Sequence, residues 1–588
     1  MEKWVITAKR ADFSQIAARY GITPMLARLM RNRDLVTDEE IHAYLYGSMK
    51  DLPPAGLLKD ADKAAEILMG KISEGRRIRI ISDYDVDGIS SNYILYIGLS
   101  RCGARVDYRI PDRIEDGYGI NEHLITQARE DGIDTIITCD NGIAAAEQII
   151  YAQSLGMTVV VTDHHDIPYE EAEGNILYRL PPAEAVVNPK REDCPYPEKN
   201  ICGAVVCYRL MEILYERYGI PSGETEHFLP FAALATVCDV MPLRGENRIL
   251  VREGIRRMPE TDNTGLRALL EVTGCLGRKI TAYTLGFIIG PCINATGRLS
   301  TAREAMELLL CRDREDALSR AKTLEQLNNE RKEMTTKGVE EAIAYLEESG
   351  HDRDKVLVVF LPDCHESIAG IIAGRVREYF NKPVFVLTRA KDGVKGSGRS
   401  IEAYHMYREM TRVKDIFTRY GGHPMAAGLS MEEDRIGELR DRLNENSTLT
   451  EEDLIRKVHI DIPLPFSYVT EDFLRDLSMM EPFGKGNEKP LFAQKDLKVG
   501  SLKILGSTGR CCKMYLTDGS GFRTEAMYFG ESDQFCRDIE DRYGRNALDR
   551  IMRGLDSPVR MHVTYYPQVN EWMGVRTIQA VIQNYLLI

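Results

Sequence analysis

The sequence predicts a multidomain α/β protein in which two α/β domains, joined by a long helix, precede a small β-barrel or sandwich. Apolar runs of strand length alternate with helical segments in residues 78–188 and again after residue 355. A charged helical stretch separates these regions, and short alternating strands follow residue 463. The length of 588 residues is too great for one hydrophobic core and is typical of three or four domains.

The first α/β domain, residues 51–300, is predicted to contain a mostly parallel sheet covered on both faces. Its predicted elements are strands at residues 78–81, 135–139 and 159–162 and a helix at residues 143–155. The strand runs are apolar and rich in β-branched residues, as buried strands are. Residues 203–299 are predicted to be helical, with breaks at 263–265 and 290–291.

Helices are predicted on both sides of this domain. Apolar residues at helical spacing indicate small helices in residues 1–50 that lead into it. Residues 301–350 are predicted to be a helical connector that opens on a capping box, TARE at 301–304, and is interrupted near 311–313. One face of the connector is apolar and contains Ala317, Ala321, Leu324 and Leu327.

Two further domains complete the prediction. The second α/β domain spans residues 351–455, and the β-barrel or sandwich spans residues 456–588. Their predicted elements are strands at 356–360, 384–387, 560–565 and 576–582 and a helix at 368–380. Aromatic and basic residues that could form a stacking platform in the barrel are Tyr515, Phe522, Tyr528, Tyr565, Tyr566, Lys503 and Arg510. Barrel aromatics more often fill the core, so none of them is singled out.

Composition narrows the class of protein. Hydrophobic residues make up 44% and charged residues 28% of the chain, as in soluble globular proteins. The apolar runs are too short to span a bilayer and the N-terminus lacks an apolar signal region, so we expect a cytoplasmic protein without membrane contact. The 13 cysteines include no Cys-x-x-Cys pair, which argues against a disulfide framework or zinc cluster. A net charge of −14 argues against nonspecific coating of nucleic acid but allows a locally basic groove.

Acidic residues crowd the end of the first predicted strand. The run SDYDVDG at residues 82–88 places three aspartates at alternate positions. Like charges at short range raise one another's pKa, so this crowding is costly unless a cation offsets it. The runs DNG at 140–142 and DHH at 163–165 follow two further apolar segments. Open α/β sheets place their chemistry at the carboxyl ends of their strands, so the sequence predicts one metal site there.

The predicted ligands are Asp83, Asp85, Asp140, His164 and Asp239. Oxygen and nitrogen ligands together suit Mn²⁺, Zn²⁺ or Co²⁺ better than Ca²⁺, and Mg²⁺ could substitute with more bound water. The set exceeds the needs of one ion, and two ions about 3.5–4 Å apart are a common device for phosphoester hydrolysis. Asp87 either joins the metal shell or only caps the turn at Gly88. An aspartate before a glycine is alone more often a turn residue, but the joint occurrence favours the metal site.

These runs resemble, in order, the motifs of a known superfamily. DYDVDG at 83–88, DNG at 140–142, DHH at 163–165 and CD at 238–239 resemble the DHH phosphoesterase superfamily. Further runs resemble its RecJ exonuclease branch: IPDR at 110–113, DGYG at 116–119, NATGR at 294–298, GSGRS at 396–400, GGHPMAAG at 421–428 and PFGKGN at 482–487. The resemblance extends from about residue 78 to the C-terminus.

The resemblance implies a 5′-to-3′ exonuclease of single-stranded DNA that depends on two divalent ions, Mn²⁺ or alternatively Mg²⁺, and acts in DNA repair and recombination. It also implies a DHH domain, a DHH-associated domain and a C-terminal oligonucleotide-binding (OB) barrel. Single-stranded DNA is the expected partner, and a single-strand-binding protein and a helicase are expected by analogy. We expect a monomer. His165 is expected to orient the scissile phosphate or to protonate the leaving oxygen.

Further residues are candidates for substrate binding. Gly398 and its neighbours let backbone amides approach a phosphate, with Ser397 and Arg399 to bind it; the alternative is a glycine turn with a solvent-facing arginine. The run at 421–428 predicts a tight turn into a closely packed helix. In that turn His423 lies near a phosphate or, alternatively, is a core or capping histidine.

The remaining candidates for substrate binding are three arginines and one histidine. Arg109 and Arg113 are candidates for the terminal phosphate or the strand backbone, although both could be surface ion pairs with Asp112 and Glu115. Arg298 is expected to face the strand channel. His365 keeps the family position and is expected to line the cleft.

The chain departs from the family in two places. Cys292 stands where the family usually has arginine, and CHESIAG at 364–370 replaces the more usual WHxGVIG. These departures concern strand binding, not the metal ligands.

Two other functions are compatible with the sequence. One is a DHH phosphodiesterase for short oligonucleotides or cyclic dinucleotides, although such enzymes are usually shorter and lack the barrel. The other is a non-catalytic single-strand-binding scaffold, against which the complete ligand set argues.

Overall fold

The computed structural model describes residues 2–113, 116–117, 119–172, 175–391, 393–506, 509–572 and 575–588. Tyr118 of the DGYG run and Glu115 lie outside the described residues. The chain forms two compact units. The first consists of Leu52–Met241 and Ile249–Arg456, and the second of Glu2–Asp51, Pro242–Arg248 and Lys457–Ile588. The domain boundaries given above stay predictions.

The predicted parallel sheet of the first unit is present. Its strands are, in spatial order, Arg105–Arg109, Arg77–Ser82, Thr135–Cys139, Thr158–Thr162 and Ala185–Val187, and every pairing is parallel. The central strands are buried on both faces, which explains their continuous apolar sequence. Because Arg77–Ser82 precedes both of its neighbours in the chain, the strand order reverses beside it. Such a reversal opens a crevice at the carboxyl ends of the strands, where open α/β sheets bind their ligands. A small hairpin, Tyr169–Ala172 and Asn175–Tyr178, follows the fourth strand.

Helices surround this sheet. They are Ala61–Ser73, Val86–Arg101, Glu122–Glu130, Ala146–Ser154, Gly203–Arg217, Leu229–Cys238, Gly245–Arg257, Thr264–Val272, Ala282–Thr284 and Gly290–Leu299. The predicted break at 263–265 is confirmed, since Asn263 caps a new helix there. The break at 290–291 is wrong: the π-helical turn Leu285–Ile289 continues directly into the next helix. Pro291 lies at the junction of the two, within the first turn of Gly290–Leu299.

The connector contains two helices, Arg303–Leu310 and Arg314–Ser349, and its predicted interruption is confirmed. Ala317, Ala321 and Leu324 are buried, and Leu327 is half-buried. The predicted capping box is wrong. Ala302 is the N-terminal cap, and the carboxylate of Glu304 instead accepts a hydrogen bond from the Ser300 hydroxyl at 2.7 Å.

A second sheet follows the connector. Its strands are, in spatial order, Phe417–Gly422, Ala426–Met431, Val394–Arg399, Val384–Arg389 and Leu357–Phe360, and only the last two are parallel. Its helices are Ala369–Phe380, Met406–Thr411 and Ile436–Glu445. The arrangement is a mixed α/β domain, as predicted.

Two glycine-rich runs differ from their predictions. Residues 396–399 lie in an interior strand, so their amides pair with neighbouring strands rather than forming a phosphate loop or a glycine turn. A Cβ on Gly396 would overlap Leu387, and one on Gly398 would overlap Met406, so packing requires both glycines. Residues 421–428 form a β-hairpin rather than a turn into a helix. His423 lies exposed at its tip, so it is neither a core nor a capping histidine.

The second unit contains a closed five-stranded barrel. Its strands are, in order, Phe492–Leu505, Cys511–Thr517, Arg523–Phe529, Val575–Leu587 and Arg560–Trp572, and the first also pairs with the last. A short strand, Ile462–Pro463, pairs with the first of them, and Glu2–Ile6 pairs with Arg456–Ile460. The helices of this unit are Phe13–Tyr20, Pro24–Asn32, Asp38–Tyr46, Glu471–Ser478, Ser532–Tyr543 and Arg545–Met552.

The N-terminal helices do not lead into the first domain. Leu26, Leu29 and Met30 belong to one apolar core with Phe492 and Tyr565 of the barrel. The helical spacing correctly predicted an apolar face, but that face packs on the C-terminal part of the chain. Tyr565 is therefore a core residue and not a stacking platform. Among the described residues, no helix is both long enough and apolar enough to cross a membrane.

Two helical glycines provide a matched test of close packing in the first unit. A Cβ on Gly265 would overlap the backbone of Leu308, whereas one on Gly70 would meet nothing within 4 Å. Gly265→Ala is expected to destabilise the protein by about 1–3 kcal/mol. Gly70→Ala is expected to stabilise it by about 0.5–1 kcal/mol, because alanine is the better helix former. Thermal unfolding of both variants measures these shifts, and a stabilising Gly265→Ala would contradict the packing described.

Candidate metal centre

The acidic runs follow neighbouring parallel strands. Asp83 comes directly after Arg77–Ser82, Asp140 after Thr135–Cys139, and the DHH run at 163–165 after Thr158–Thr162. These strands are adjacent in the sheet, so all three runs lie at one edge. The first two runs flank the point where the strand order reverses.

The structure brings the five predicted metal ligands and Asp87 together. Possible ligand atoms form three groups, and within each group the atoms lie within 4.8 Å of one another: Asp83, Asp85 and Asp140; Asp87, His164 and Asp239; and Asp140, His164 and His165. Nε2 of His164 lies 3.0 Å from Oδ1 of Asp140 and 3.6 Å from Oδ2 of Asp239. Because the groups share Asp140 and His164, the arrangement suits two adjacent ions better than one.

Close backbone approach explains the sequence around these acids. Asp85 caps the helix Val86–Arg101, with its Oδ1 accepting the N–H groups of Asp87 at 2.9 Å and Gly88 at 3.1 Å. A Cβ on Gly88 would overlap the backbone of Asp83, so the helix can start here only with glycine. Asp140 has φ 59°, a left-handed conformation that aspartate and asparagine tolerate better than most residues.

Asp87 caps a distant helix and also lies within the ligand cluster. Its carboxylate accepts the N–H groups of Gly203 and Ala204, both at 2.7 Å, at the start of the helix Gly203–Arg217. It therefore caps a distant helix, and the cap at Gly88 is made by Asp85 instead. Its Oδ2 also lies 3.5 Å from Nε2 of His164, within the ligand cluster.

Asp163 is a site residue that sequence reasoning missed. It is buried, and its Oδ1 accepts hydrogen bonds from the backbone of His164 at 2.7 Å and from Nδ1 of His165 at 2.8 Å. Its Oδ2 accepts the N–H of Ile143 at 2.9 Å. Burial lowers the pKa of His165, but the hydrogen bond and charge of Asp163 outweigh it and raise that pKa to about 9. The signal was present, since an acid directly precedes the histidine pair.

The electrostatics of the cluster fit a cation. Burial and the charge of Asp85 raise the pKa of Asp83, and burial and Asp87 raise that of Asp140 well above its ordinary value. Burial, followed by the charge of Asp87, raises the pKa of Asp239 to about 8. Among the described residues, buried Oδ1 of Asp83, Oδ2 of Asp239 and both ring nitrogens of His164 have no hydrogen-bond partner. Buried carboxylates without donors are costly, and divalent ions would compensate them.

A cavity of about 290 Å³ adjoins these ligands. It is lined by Asp83, Tyr84, Asp85, Arg113, Cys238, Asn294, Gly297 and Arg298. The guanidinium of Arg113 lies over the ring of Tyr84, 5.1 Å from its centroid. Arg298 donates to the carbonyl of Ser367 at 2.6 Å, and burial together with the charge of Arg113 lowers its pKa to about 10. Carboxylates on one wall and guanidinium groups on another suit a phosphate held against metal ions.

The other predicted binding residues lie outside the lining of this cavity. Arg109 is not among the residues that line this cavity; its guanidinium lies 3.7 Å from Asp131, an ion pair with a partner other than the expected Asp112 and Glu115. His365 lines a second cavity, of about 540 Å³, and its Nδ1 lies 2.7 Å from the hydroxyl of Ser367. The hydrogen bond of Lys190 lowers the pKa of Asp166, next to the DHH run, and the charge of His423 contributes to this shift.

Ser397 and Arg399 share one face of their strand. A Cβ on Gly370 would lie 2.8 Å from Nη2 of Arg399 and 3.4 Å from the hydroxyl of Ser397. Burial, followed by the charges of Arg377 and Arg113, lowers the pKa of Arg399. An anion bound near Arg399 would oppose this shift.

Cys292 is buried and lies beside a guanidinium from another element. Its thiol donates to the carbonyl of Ile288 at 3.2 Å and accepts from Nδ2 of Asn328 at 3.4 Å. Arg331 of the connector donates to Oδ1 of the same Asn328 at 2.9 Å. An arginine side chain is thus present in this neighbourhood although residue 292 is a cysteine.

Comparisons with known proteins agree with this architecture. Residues 77–236 match the DHH family, N-terminal domain; residues 353–447 match the DHHA1 domain; and residues 460–584 match the RecJ OB domain. The single-stranded-DNA-specific exonuclease RecJ of Escherichia coli is 32% identical, with 96% of each chain covered. The protein of the same name from Bacillus subtilis is 31% identical over 99% of this chain and 70% of its own.

A solved structure shows the same fold. The crystal structure of RecJ in complex with Mn²⁺ from Thermus thermophilus has a TM-score of 0.81 and 27% identity, covering 99% of this chain and 79% of its own. The Mg²⁺ complex from the same organism has a TM-score of 0.75 and 26% identity, covering 99% and 78%.

Removing one carboxylate tests the metal centre without an activity measurement. Asp140→Asn keeps a residue that tolerates φ 59° and removes one repelling charge. The metal-free variant is expected to melt at a higher temperature than the metal-free wild type. Mn²⁺ at about 100 times its Kd should stabilise the wild type by about 2.7 kcal/mol and the variant much less.

Thermal melts after chelation, with and without added MnCl₂, provide the measurement. Asp441→Asn, at an exposed ion pair with Arg440, is the control and should respond to Mn²⁺ like the wild type. If Asp140→Asn keeps the full Mn²⁺-dependent rise in melting temperature, Asp140 is not a ligand.

Proposed function

The chain belongs to the RecJ family of single-stranded-DNA-specific exonucleases, and from this membership we propose that it removes nucleotides from the 5′ end of single-stranded DNA. The hydrolysis depends on divalent metal ions. The observation that carries the proposal is the set of three overlapping ligand groups at the strand-order reversal, beside a cavity that also contains two guanidinium groups.

The ligand groups would hold two ions. Asp83, Asp85 and Asp140 would hold one ion, and His164 and Asp239 would hold the other. When bound, Mn²⁺ or Mg²⁺ supplies polarisation of the phosphoryl group and activation of a water nucleophile. Asp87 contributes mainly by fixing the helix Gly203–Arg217 against this cluster.

His165 is the proposed proton donor to the leaving oxygen. Asp163 accepts the hydrogen bond of Nδ1 and fixes the orientation of the ring. In this proposal, Nε2 of His165 carries the proton toward the leaving oxygen or contacts the scissile phosphate. Asp163 acts through His165 and is a positioning residue.

Arg113 and Arg298 are the proposed ligands of the phosphate in the cavity. Their guanidinium groups provide several donors in a fixed plane, which suits a phosphate with two oxygens exposed. Ser397 and Arg399 extend this basic region from the second sheet, and Gly398 allows their strand to pack closely. The 5′ polarity is proposed from the family, with these arginines as the groups that recognise the terminal phosphate.

Two rival functions receive less support. A phosphodiesterase of short oligonucleotides or cyclic dinucleotides has no evident use for the closed barrel that follows the catalytic domains. A non-catalytic scaffold has no use for carboxylates whose buried oxygens lack partners. A monomeric state, a cytoplasmic location, and association with a single-strand-binding protein and a helicase are further proposals from the family.

End-labelled strands test polarity and substrate class together. A long 5′-phosphorylated strand labelled at the 5′ end should release its label at once as a mononucleotide, whereas a 3′-labelled strand should shorten progressively. Duplex DNA, RNA and a dinucleotide should be poorer substrates, and chelation should stop all cleavage. Early release of the 3′ label would contradict the polarity, and preferential cleavage of the dinucleotide would favour the rival phosphodiesterase.

Arg298→Gln tests phosphate recognition. Losing a charged hydrogen-bond donor is expected to raise KM for a 5′-phosphorylated strand about 10- to 100-fold and to abolish its advantage over a 5′-hydroxyl strand. Arg353→Gln, at an exposed position, is the matched control and should behave like the wild type. If the variant still prefers the 5′-phosphate, Arg298 does not bind that group. Melting curves of both variants show whether the contact of Arg298 with Ser367 is needed for folding.

A further inference from the structure

Two large aromatic rings lie exposed and stacked on the surface of the first unit. The side chains of Tyr283 and Phe287 are 64% and 63% exposed. Their ring centroids are 4.8 Å apart and their planes differ by 17°, so the rings are nearly parallel. Folding normally removes such apolar surface from water, so a ring pair left in solvent calls for a partner with flat apolar faces.

The backbone holds this pair rigidly. Thr281 and Thr284 cap each other's N–H groups at the start of the helix Ala282–Thr284, and the π-helical turn Leu285–Ile289 follows it. Leu285 and Ile289 are buried, so the inner face of this turn is anchored while the rings project outward. π-Helical turns are rare and frequently mark functional sites.

The segment that carries the rings packs directly against the metal centre. Cys238 lines the metal-side cavity, precedes the ligand Asp239, and donates to the carbonyl of Leu285 at 3.6 Å. A Cβ on Gly290 would overlap the Cys238 sulfur, so the two segments are in close contact. The next residue after Asp239, Val240, is 57% exposed with φ 56°, a conformation that β-branched residues rarely adopt.

The same helical segment also reaches the cavity. Asn294 and Arg298, which line it, follow Phe287 in one continuous helical stretch. At about 1.5 Å of rise per residue, Phe287 and Asn294 are separated by about 10 Å along the helix axis. A ligand whose phosphate occupies the cavity therefore has its neighbouring part within reach of the rings.

We propose that Tyr283 and Phe287 form a base-stacking platform for the DNA strand beside the metal centre. The inference rests on the proposed function and adds a residue-level binding site to it. Bases are favoured over an apolar peptide because the adjoining cavity offers guanidinium groups for phosphates, and a nucleic-acid strand combines phosphates with flat aromatic faces. Stacking on such rings is indifferent to base identity, as a nonspecific exonuclease requires.

Alanine and leucine substitutions separate stacking from simple apolar contact. Tyr283→Ala, Phe287→Ala and Phe287→Leu are each expected to raise KM for a long single strand about tenfold, with kcat nearly unchanged. Tyr283→Phe, which keeps a ring, should retain the KM of the wild type. Tyr379→Ala is the matched control. Tyr379 is 58% exposed and packs edge-on against its neighbour Phe380. Both residues lie in the helix Ala369–Phe380, away from the segment that carries Tyr283 and Phe287.

Strands with an abasic residue at successive positions provide the decisive comparison. At the stacked position, removing the base should raise the wild-type KM to that of Phe287→Ala and leave the variant unchanged. If KM is the same for wild type and Phe287→Ala on intact strands, the inference is overturned while the proposed function stands. If the variants are impaired equally on intact and abasic strands, the rings bind something other than bases, and the inference is again overturned. If the wild type itself does not digest single strands, the proposed function fails first.

Discussion

Repulsion among carboxylates gathered at one edge of a parallel sheet is the constraint on which the rest of this structure depends. Adjacent strands of such a sheet end at the same edge, so acids that follow them in the sequence converge without any long-range design. Their burial raises their pKa values, which means that the folded chain holds them as anions only if something positive is supplied.

The negative charge of these acids is compensated in two ways, by backbone N–H groups and by the metal ions that would bind. Asp87 and Asp163 are satisfied by backbone N–H groups, and Asp87 lies at a helix N-terminus, where the helix dipole also favours an anion. Asp85 has both roles, because it caps a helix and belongs to a ligand group. Asp83 and Asp239 keep buried oxygens without such donors and face the space where ions would bind. Apart from Asp85, the acids of the cluster are thus divided between those that build the scaffold and those left for the metal, although both kinds look alike in the sequence.

This division explains how much of the site could be predicted. Strand periodicity and polar residues at strand ends are local signals, so the parallel sheet and the convergence of the acidic runs at one edge followed directly from them. The position of Asp87 at a distant helix and the role of Asp163 depend on tertiary contacts. The glycines at 396 and 398 were misread for a related reason. Glycine permits a turn, but here it is required by the neighbouring side chains Leu387 and Met406.

The packing of the N-terminal helices on the C-terminal barrel has a consequence for synthesis. Leu26 and Leu29 emerge from the ribosome several hundred residues before their core partners Phe492 and Tyr565. At about 5–20 residues per second, the apolar face of these helices waits roughly tens of seconds for its partner. During that interval, the nascent chain carries an exposed apolar helix face that chaperones are suited to cover, and the shared core becomes complete only when the barrel has formed against these helices.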